Sequence, residues 1–154
     1  MAQTVDLVQD ALGGAAGKRV AVWGASFKAG TDDVRDSVGL LVADKLRSLG
    51  ATVTVYDPMG GGNALVTFPE LAYADSAIAA AAAADVIVVV TAWPEFAQAD
   101  VAEVAGVVAG QAVVDACQGI DIAAWGDAGW RVSSLTGVGG ALQASSVTAR
   151  TLAT

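Results

Sequence analysis

A loop between the first predicted strand and the next predicted helix carries the side chains best suited to bind an anion. Lys28 and Arg35 lie there among hydroxyl and carboxylate side chains. The loop ends at Ser37, ahead of a helix, and the free N–H groups and dipole of a helix N-terminus favour anions. The alternative to an anion site is a purely structural role for these residues, in which Arg35 pairs with Asp32 or Asp36. In that case Lys28 is a solvated lysine and Ser37 is only a helix cap.

The same loop lacks the signatures of the common phosphate-binding motifs. The run Gly24-Ala25-Ser26 has no second glycine to let the backbone approach a pyrophosphate, so it is not the dinucleotide fingerprint. No Gly-Lys-Ser/Thr run follows, which excludes a P-loop. Asp57 ends the second predicted strand, where an acid could bind a ribose, but it lies 33 residues beyond Gly24, whereas the fingerprint has about 20. The dinucleotide interpretation is therefore weak.

Basic residues are concentrated in the first third of the chain. Six of the eight lysines and arginines lie between Lys18 and Arg47, and none lies between Ser48 and Trp130, where ten acids fall. An anion must therefore be bound mainly by the first third or by backbone N–H groups, with Arg131 the principal exception. The net charge of -8 argues against a nucleic-acid partner, because a phosphate backbone requires a basic face.

Composition narrows the class of protein. The 154 residues suffice for one ordinary domain, and the apolar runs are too short for the ~20 residues of a membrane span. The single cysteine, Cys117, leaves no intrachain disulfide, and there is no histidine, the commonest metal ligand. No signal peptide is visible. We expect a cytoplasmic protein with no metal site and no membrane partner.

Hydrophobic periodicity predicts strands that alternate with helices. Strands are predicted at 18–24, 52–56, 86–90, 111–115 and, more weakly, 130–133, and helices at 5–12, 37–49, 77–84 and 94–108. The glycine-rich loop Met59–Asn63 is expected to be mobile. Strands that are apolar on both faces indicate a parallel sheet covered on two sides. The predicted fold is a Rossmann-like, doubly wound α/β domain with about five parallel strands and helices on both faces.

Three motifs in the chain match those of one enzyme family. The first is a strand followed by Gly-x-x-Phe-Lys and Thr-x-Asp-x-Arg-x-Ser, matched by Gly24, Phe27, Lys28, Thr31, Asp33, Arg35 and Ser37. The others are Val55-Tyr56-Asp57-Pro58, a second-strand ending, and Thr91-Ala92-Trp93-Pro94-Glu95-Phe96, which is similar to a Thr-Glu-Trp-x-x-Phe segment. Residues 17–137 thus resemble the C-terminal, UDP-sugar-binding domain of the UDP-glucose/GDP-mannose dehydrogenase family.

The resemblance implies an NAD-dependent oxidoreductase. Such an enzyme oxidises the C6 alcohol of a nucleotide sugar to a carboxylate and reduces two NAD⁺. By the same resemblance, Phe27 and Lys28 would contact the nucleotide sugar, and Arg35 would reach NAD held by another domain. Trp93, Trp125 and Trp130 could stack on a base or sugar, although packing is the more common role of such residues. Trp93 is the best candidate because it follows a strand's carboxyl end.

The resemblance also implies that this chain holds only one domain of the enzyme. Residues 1–16 would be the end of an interdomain helix and a linker, 17–136 the nucleotide-sugar-binding domain, and 137–154 a tail. The family's NAD-binding domain and its nucleophilic cysteine belong to other segments, so we expect no catalytic residue here and NAD bound mainly elsewhere. The expected partners are UDP-glucose or a related nucleotide sugar, the N-terminal NAD-binding domain and, for the full-length protein, further copies in a homo-oligomer.

Two positions depart from the family's pattern. Ala92 replaces a glutamate, and Cys117 replaces an arginine that helps to hold the nucleotide. A rival hypothesis is therefore a non-catalytic binding or subunit-assembly module with a decayed nucleotide site. A phosphoacceptor receiver domain is set aside, because it needs an aspartate where this chain has Thr91. Cys117 has no histidine, lysine or arginine nearby in sequence to activate it, so we expect an inert, partly buried thiol.

Overall fold

The computed structural model describes residues 1–135 and places six strands in one parallel sheet. The strands are β1 (Arg19–Trp23), β2 (Thr52–Tyr56), β3 (Ala72–Tyr73), β4 (Val86–Val89), β5 (Ala112–Asp115) and β6 (Arg131–Ser134). Their spatial order is β3-β2-β1-β4-β5-β6, so the order reverses between β1 and β4. The predicted doubly wound α/β class is confirmed. The tail predicted at 137–154 lies outside the described residues.

Seven helices flank the strands of the described region. They are α1 (Ala2–Leu12), α2 (Val38–Ser48), α3 (Gly61–Thr67), α4 (Ala77–Ala81), α5 (Pro94–Ala97), α6 (Val101–Ala105) and α7 (Ile122–Asp127). Alternate residues of each strand point to opposite faces, and both faces are buried. Val20 and Val22 pack with α1, α2 and α3, whereas Ala21 and Trp23 pack with α4, α5, α6 and α7.

The sheet has one strand more than the sequence predicted. The additional strand, β3, consists of Ala72 and Tyr73, which pair with Thr54 and Val55 of β2. A two-residue edge strand is too short to show the alternation of apolar residues by which strands are recognised. The Tyr73 hydroxyl donates to the carbonyl of Ala64 at 3.0 Å and so ties the strand to α3.

The glycine-rich segment 59–63 was predicted as a mobile loop; its mobility stays a prediction, but the segment is not a loop throughout. Helix α3 begins within it at Gly61. The turn before the helix is fixed because Asp57 accepts hydrogen bonds from the N–H groups of Met59 and Gly60, at 2.9 and 2.7 Å. A side chain outside the segment therefore orders it.

The single helix predicted at 94–108 is two helices, α5 and α6. The carboxylate of Asp100 accepts hydrogen bonds from the N–H groups of Ala102 and Glu103, at 3.0 and 3.3 Å. Such a cap starts a new helix, so the chain turns between Gln98 and Asp100. Pro94 stands in the first turn of α5, as predicted.

Two polar contacts at helix ends fix α1 and α2. The Ser37 hydroxyl accepts a hydrogen bond from the N–H of Leu40 at 3.1 Å, which confirms the predicted cap of α2. The guanidinium of Arg131 donates to the carbonyl of Ala11 at 2.7 Å, at the C-terminal end of α1. Arg131, the exception in the distribution of cations, thus serves to hold α1 against the sheet.

Candidate nucleotide site at the carboxyl edge of the sheet

The loops that carry the predicted site residues follow the two central strands. β1 and β4 are neighbours, and both run toward the same edge of the sheet. In open α/β sheets, ligands bind at this edge where the strand order reverses. The loop after β1 carries Phe27, Lys28 and Arg35, and the loop after β4 carries Trp93.

The backbone of Gly24 closes the space between these two loops. Its φ of +118° lies in the region that favours glycine, and a Cβ placed there would lie 2.5 Å from Oγ1 of Thr91. The Thr91 hydroxyl in turn donates to the carbonyl of Ser26 at 2.8 Å. A Cβ on Gly39 of α2 would lie 2.5 Å from the Gly24 carbonyl oxygen. The loops after β1 and β4 and the first turn of α2 are therefore in close contact at the reversal.

A buried carboxylate, Asp57, joins three loops at this edge. It ends β2 and is 6% exposed. Its oxygens accept six hydrogen bonds, from the N–H groups of Ala25 (2.7 Å), Ser26 (2.8 Å), Met59 (2.9 Å) and Gly60 (2.7 Å), the Ser26 hydroxyl (3.0 Å) and the Trp93 indole (3.0 Å). The sequence suggested Asp57 only as a weak ribose ligand, and its donors lie too far apart in the chain for any local pattern to reveal them.

The environment of Asp57 keeps it ionised. Burial alone would raise its pKa, but the four backbone N–H groups outweigh that effect and hold the pKa below the ordinary value. In a dinucleotide-binding domain, the N–H groups after the first strand face a pyrophosphate. Here those of Ala25 and Ser26 are bonded to Asp57. The residues at the strand-order reversal therefore do not fit a dinucleotide, in agreement with the missing glycine fingerprint.

Beyond Ser26 the loop opens to solvent and exposes an aromatic ring beside an ammonium group. The N–H of Phe27 donates to the carbonyl of Asp33 at 2.9 Å, which closes the loop. Phe27 is 51% exposed, and Nζ of Lys28 lies 5.4 Å from the centroid of its ring. An apolar face next to a cation matches a ligand that combines a base or sugar with a phosphate.

Arg35 forms a forked ion pair with Asp33. The partner of Arg35 expected from the sequence, in the structural alternative, was Asp32 or Asp36. Nη2 of Arg35 lies 2.6 Å from Oδ2 of Asp33, and its Nε lies 3.0 Å from Oδ1 of the same carboxylate. The hydrogen bonds from Arg35 lower the pKa of Asp33 to about 2. The Arg35 side chain remains 87% exposed, so the guanidinium is oriented yet open to a further anion.

Arg35 borders a small depression of about 280 Å³ next to Leu41 and two larger, shallow depressions. One, of about 430 Å³, is lined by Phe27, Asp33, Arg35 and Asp36. The other, of about 500 Å³, lies between the same loop and α3, where the amide of Asn63 donates to the carbonyl of Asp32 at 2.9 Å. The structure thus brings Phe27 and Arg35 to one surface and braces their loop with α3, a contact that sequence reasoning missed.

The aromatic side chains considered for stacking are buried. Trp125 and Trp130 form an edge-to-face pair with centroids 4.7 Å apart, which confirms a packing role for both. Trp93 is 8% exposed, and its indole N–H is directed at Asp57. The predicted role of Trp93 in substrate binding stays a prediction. In this conformation little of its ring is open to a ligand.

Cys117 follows β5 in an environment that disfavours the thiolate. Burial, together with the nearby charge of Asp115, raises the pKa of Cys117 to about 12. The Sγ atom lies 3.6 Å from the carbonyl oxygen of Val89 and 3.7 Å from Oδ1 of Asp115. The group is therefore a protonated thiol at neutral pH and a poor nucleophile.

A separate depression, of about 400 Å³, lies next to Trp23 and α4, on the face of the sheet that α4 to α7 cover. Its rim carries Glu95, Asp100 and Glu103. No lysine or arginine in the described part of the chain lines this depression to offset the three carboxylates, whereas the loop after β1 carries Lys28 and Arg35, so the nucleotide site is better placed at that loop. Among residues 1–135, no group of three or more acidic or cysteine side chains could hold a metal ion, and no helix is long and apolar enough to cross a membrane.

The strand order, and the N–H groups of Ala25 and Ser26 that Asp57 occupies, define a Rossmann-like domain whose reversal point does not hold a dinucleotide. The family model described as "UDP-glucose/GDP-mannose dehydrogenase family, UDP binding domain" matches residues 21–122. The chain belongs to this family and corresponds to its C-terminal, UDP-binding domain.

Relatives and solved structures agree with this assignment. UDP-glucose 6-dehydrogenase AglM of Haloferax volcanii is 50% identical over 84 residues, which are 54% of this chain and 20% of that enzyme. A UDP-glucose dehydrogenase structure from Pyrobaculum islandicum matches with a TM-score of 0.65 and 35% identity, over 73% of this chain and 24% of that one. An NDP-N-acetyl-D-galactosaminuronic acid dehydrogenase from Methanosarcina mazei, at 23% identity over 86% of this chain and 28% of that one, shares the fold with a TM-score of 0.76. The chain spans between 20% and 28% of the length of these relatives.

Proposed function

We propose that this domain binds the nucleotide part of a nucleotide sugar for a UDP-glucose 6-dehydrogenase-like, NAD-dependent oxidoreductase. The observation that carries the proposal is the exposed pair Phe27 and Lys28, held at the carboxyl edge of a family UDP-binding domain. The Phe27 ring would contact the base or sugar, and the Lys28 ammonium would bind a charged oxygen. A full-length enzyme would remove four electrons from the C6 alcohol and reduce two NAD⁺.

Arg35 is proposed to act at the boundary with a second domain. Its guanidinium is oriented by Asp33 and open to solvent, which suits an anionic group presented from outside this chain. NAD would be bound mainly by that other domain, because Asp57 uses the N–H groups that a pyrophosphate needs here. We expect the chain alone to produce no NADH from UDP-glucose and NAD⁺.

Calorimetry with UDP and UDP-glucose tests the binding role. We expect millimolar or tighter binding and a loss of at least about tenfold in Lys28→Ala, since a charge-assisted hydrogen bond contributes about 1.5–3 kcal/mol. Lys45→Ala, at the far end of α2, is the matched control and should bind as the wild type does. Equal affinity of the two variants would contradict the proposed role of Lys28.

A binding or assembly module without nucleotide affinity is the second candidate. It is favoured by the two departures from the family pattern, since Ala92 and Cys117 supply no charge at positions where the family has a glutamate and an arginine. The same titration separates the candidates. Absence of UDP binding by the folded wild-type chain would favour the module.

A further inference from the structure

We propose that Asp57, together with the indole N–H of Trp93, is the positioning device for the Phe27–Lys28 loop, so that both act on nucleotide affinity without touching the nucleotide. This inference rests on the proposed function. It assigns Trp93 a role through Asp57 in place of stacking on the ligand.

The first observation is the position of Ser26. It is 2% exposed, and all its polar groups are used: the N–H and the hydroxyl donate to Asp57, and the carbonyl accepts from Thr91. The next residue, Phe27, is half exposed. The buried, fully bonded Ser26 therefore lies immediately before the proposed ligand contacts, and the N–H of Phe27 bonds within the same loop, to the carbonyl of Asp33.

The second observation is the chemistry that this cluster demands. All six groups that face Asp57 are donors, three on each carboxylate oxygen. An asparagine would keep one acceptor oxygen and would place its NH₂ group against the donors on the other side. Only an ionised carboxylate satisfies both sets, so Asp57→Asn must release one side of the cluster.

The third observation is that the donors belong to three loops. Ala25 and Ser26 follow β1, Met59 and Gly60 follow β2, and Trp93 follows β4. A carboxylate that only caps a helix accepts hydrogen bonds from the N–H groups of that helix's own first turn. Asp57 instead makes the position of the Phe27 backbone depend on the loops after β2 and β4.

The test combines UDP titration with amide hydrogen exchange measured by NMR. In Asp57→Asn, we expect UDP affinity to fall at least about tenfold, because hydrogen bonds to a charged group are lost. The N–H groups on the released side, either those of Ala25 and Ser26 or those of Met59 and Gly60, should lose protection from exchange, and the N–H of Phe27 should lose protection as its loop loosens. Trp93→Phe keeps an aromatic ring but removes the N–H, so its affinity should fall about threefold to tenfold.

Val53→Ala is the matched control for stability. Val53 is buried in β2, at the opposite half of the strand from Asp57. Its truncation should lower the free energy of unfolding while UDP affinity stays within about twofold of wild type. If Asp57→Asn does not fold, Trp93→Phe and Ser26→Ala, which each remove a hydrogen-bond donor from the cluster, replace it.

The outcomes separate the inference from the proposed function. A wild-type chain that binds no UDP refutes the proposed nucleotide role and with it the effect of Asp57 on affinity. A folded Asp57→Asn variant with wild-type affinity and wild-type protection of Phe27 overturns the positioning role. Unchanged affinity in Trp93→Phe overturns the part assigned to Trp93, because a stacking ring tolerates that substitution.

Discussion

Gly24 and Thr91 approach each other so closely that a side chain on Gly24 would lie 2.5 Å from the threonine hydroxyl oxygen. The glycine that opens the first sequence motif is therefore required by packing between the loops after β1 and β4. In a dinucleotide-binding domain, the corresponding glycines serve the turn and the approach of a pyrophosphate. Here the contact brings the Thr91 hydroxyl against the carbonyl of Ser26.

The substitution Gly24→Ala is expected to destabilise the domain by about 2–5 kcal/mol, because strain at a positive φ adds to the steric overlap with Thr91. Urea unfolding followed by tryptophan fluorescence measures the change. Gly61→Ala is the control, since a Cβ there meets nothing within 4 Å. It should leave stability unchanged or raise it by up to about 1 kcal/mol. Similar values for the two variants would contradict the close contact.

The ion pair between Arg35 and Asp33 predicts an unusually acidic carboxyl group. Its pKa in the folded chain is lowered from 3.8 to about 2, so the pair stabilises the loop fully above pH 4 and ceases to do so as the pH falls through 2. NMR titration of the Asp33 carboxyl carbon should show this midpoint. In Arg35→Gln the midpoint should return toward 3.8. A midpoint that Arg35→Gln does not change would show that the pair is absent in solution.

Phe27 and Phe96 provide a matched pair that separates binding from stability. Phe96 is fully buried and stacks on Trp23 at 5.1 Å, so Phe96→Ala should cost about 3–5 kcal/mol of stability. Phe27 is half exposed, and Phe27→Ala should change stability by no more than about 0.5 kcal/mol. It should nevertheless weaken UDP binding in calorimetry. A folded Phe27→Ala chain with wild-type affinity would remove Phe27 from the site.

Cys117 is expected to resist alkylation in the folded chain. Its pKa of about 12 leaves the thiol protonated at pH 8, and the thiolate is the reactive form. Iodoacetamide labelling followed by mass spectrometry should therefore be slow in buffer and fast in urea. Rapid labelling of the folded chain, at the rate seen in urea, would contradict the environment described for this residue.

Much of the fold was predictable because its signals are local. The runs at 52–56 and 86–90 are β-branched and apolar, and Ser37 and Gly50 mark the ends of α2. Such patterns depend on a few neighbouring residues, so they survive without knowledge of the tertiary structure. β3 was not predicted, because two residues are too few to show the alternation that indicates a strand. The break between α5 and α6 was not predicted, because the capping residue Asp100 lies within a stretch whose apolar residues suggest one continuous helix.

The candidate site was predictable only in part. The first motif pointed to Phe27, Lys28 and Arg35, and the scarcity of cations elsewhere pointed to the same loop. The partner of Arg35 was not predicted correctly, because several acids in the loop are equally close in sequence and only the folded backbone selects Asp33. Trp93 was placed at the right edge of the sheet, but its burial against Asp57 could not be predicted.

The sequence by itself determined the α/β class and the family, and it pointed to the loop that is proposed to bind an anion, because these depend on periodicity, on residue type and on short motifs. Only the tertiary structure decided what the loop can accept. Asp57 lies 31 residues from Ser26 and 36 from Trp93 along the chain, and only the parallel sheet brings the three together. That convergence satisfies the N–H groups that a dinucleotide would need and leaves the side chains of Phe27, Lys28 and Arg35 exposed beyond Ser26, where the nucleotide is proposed to bind.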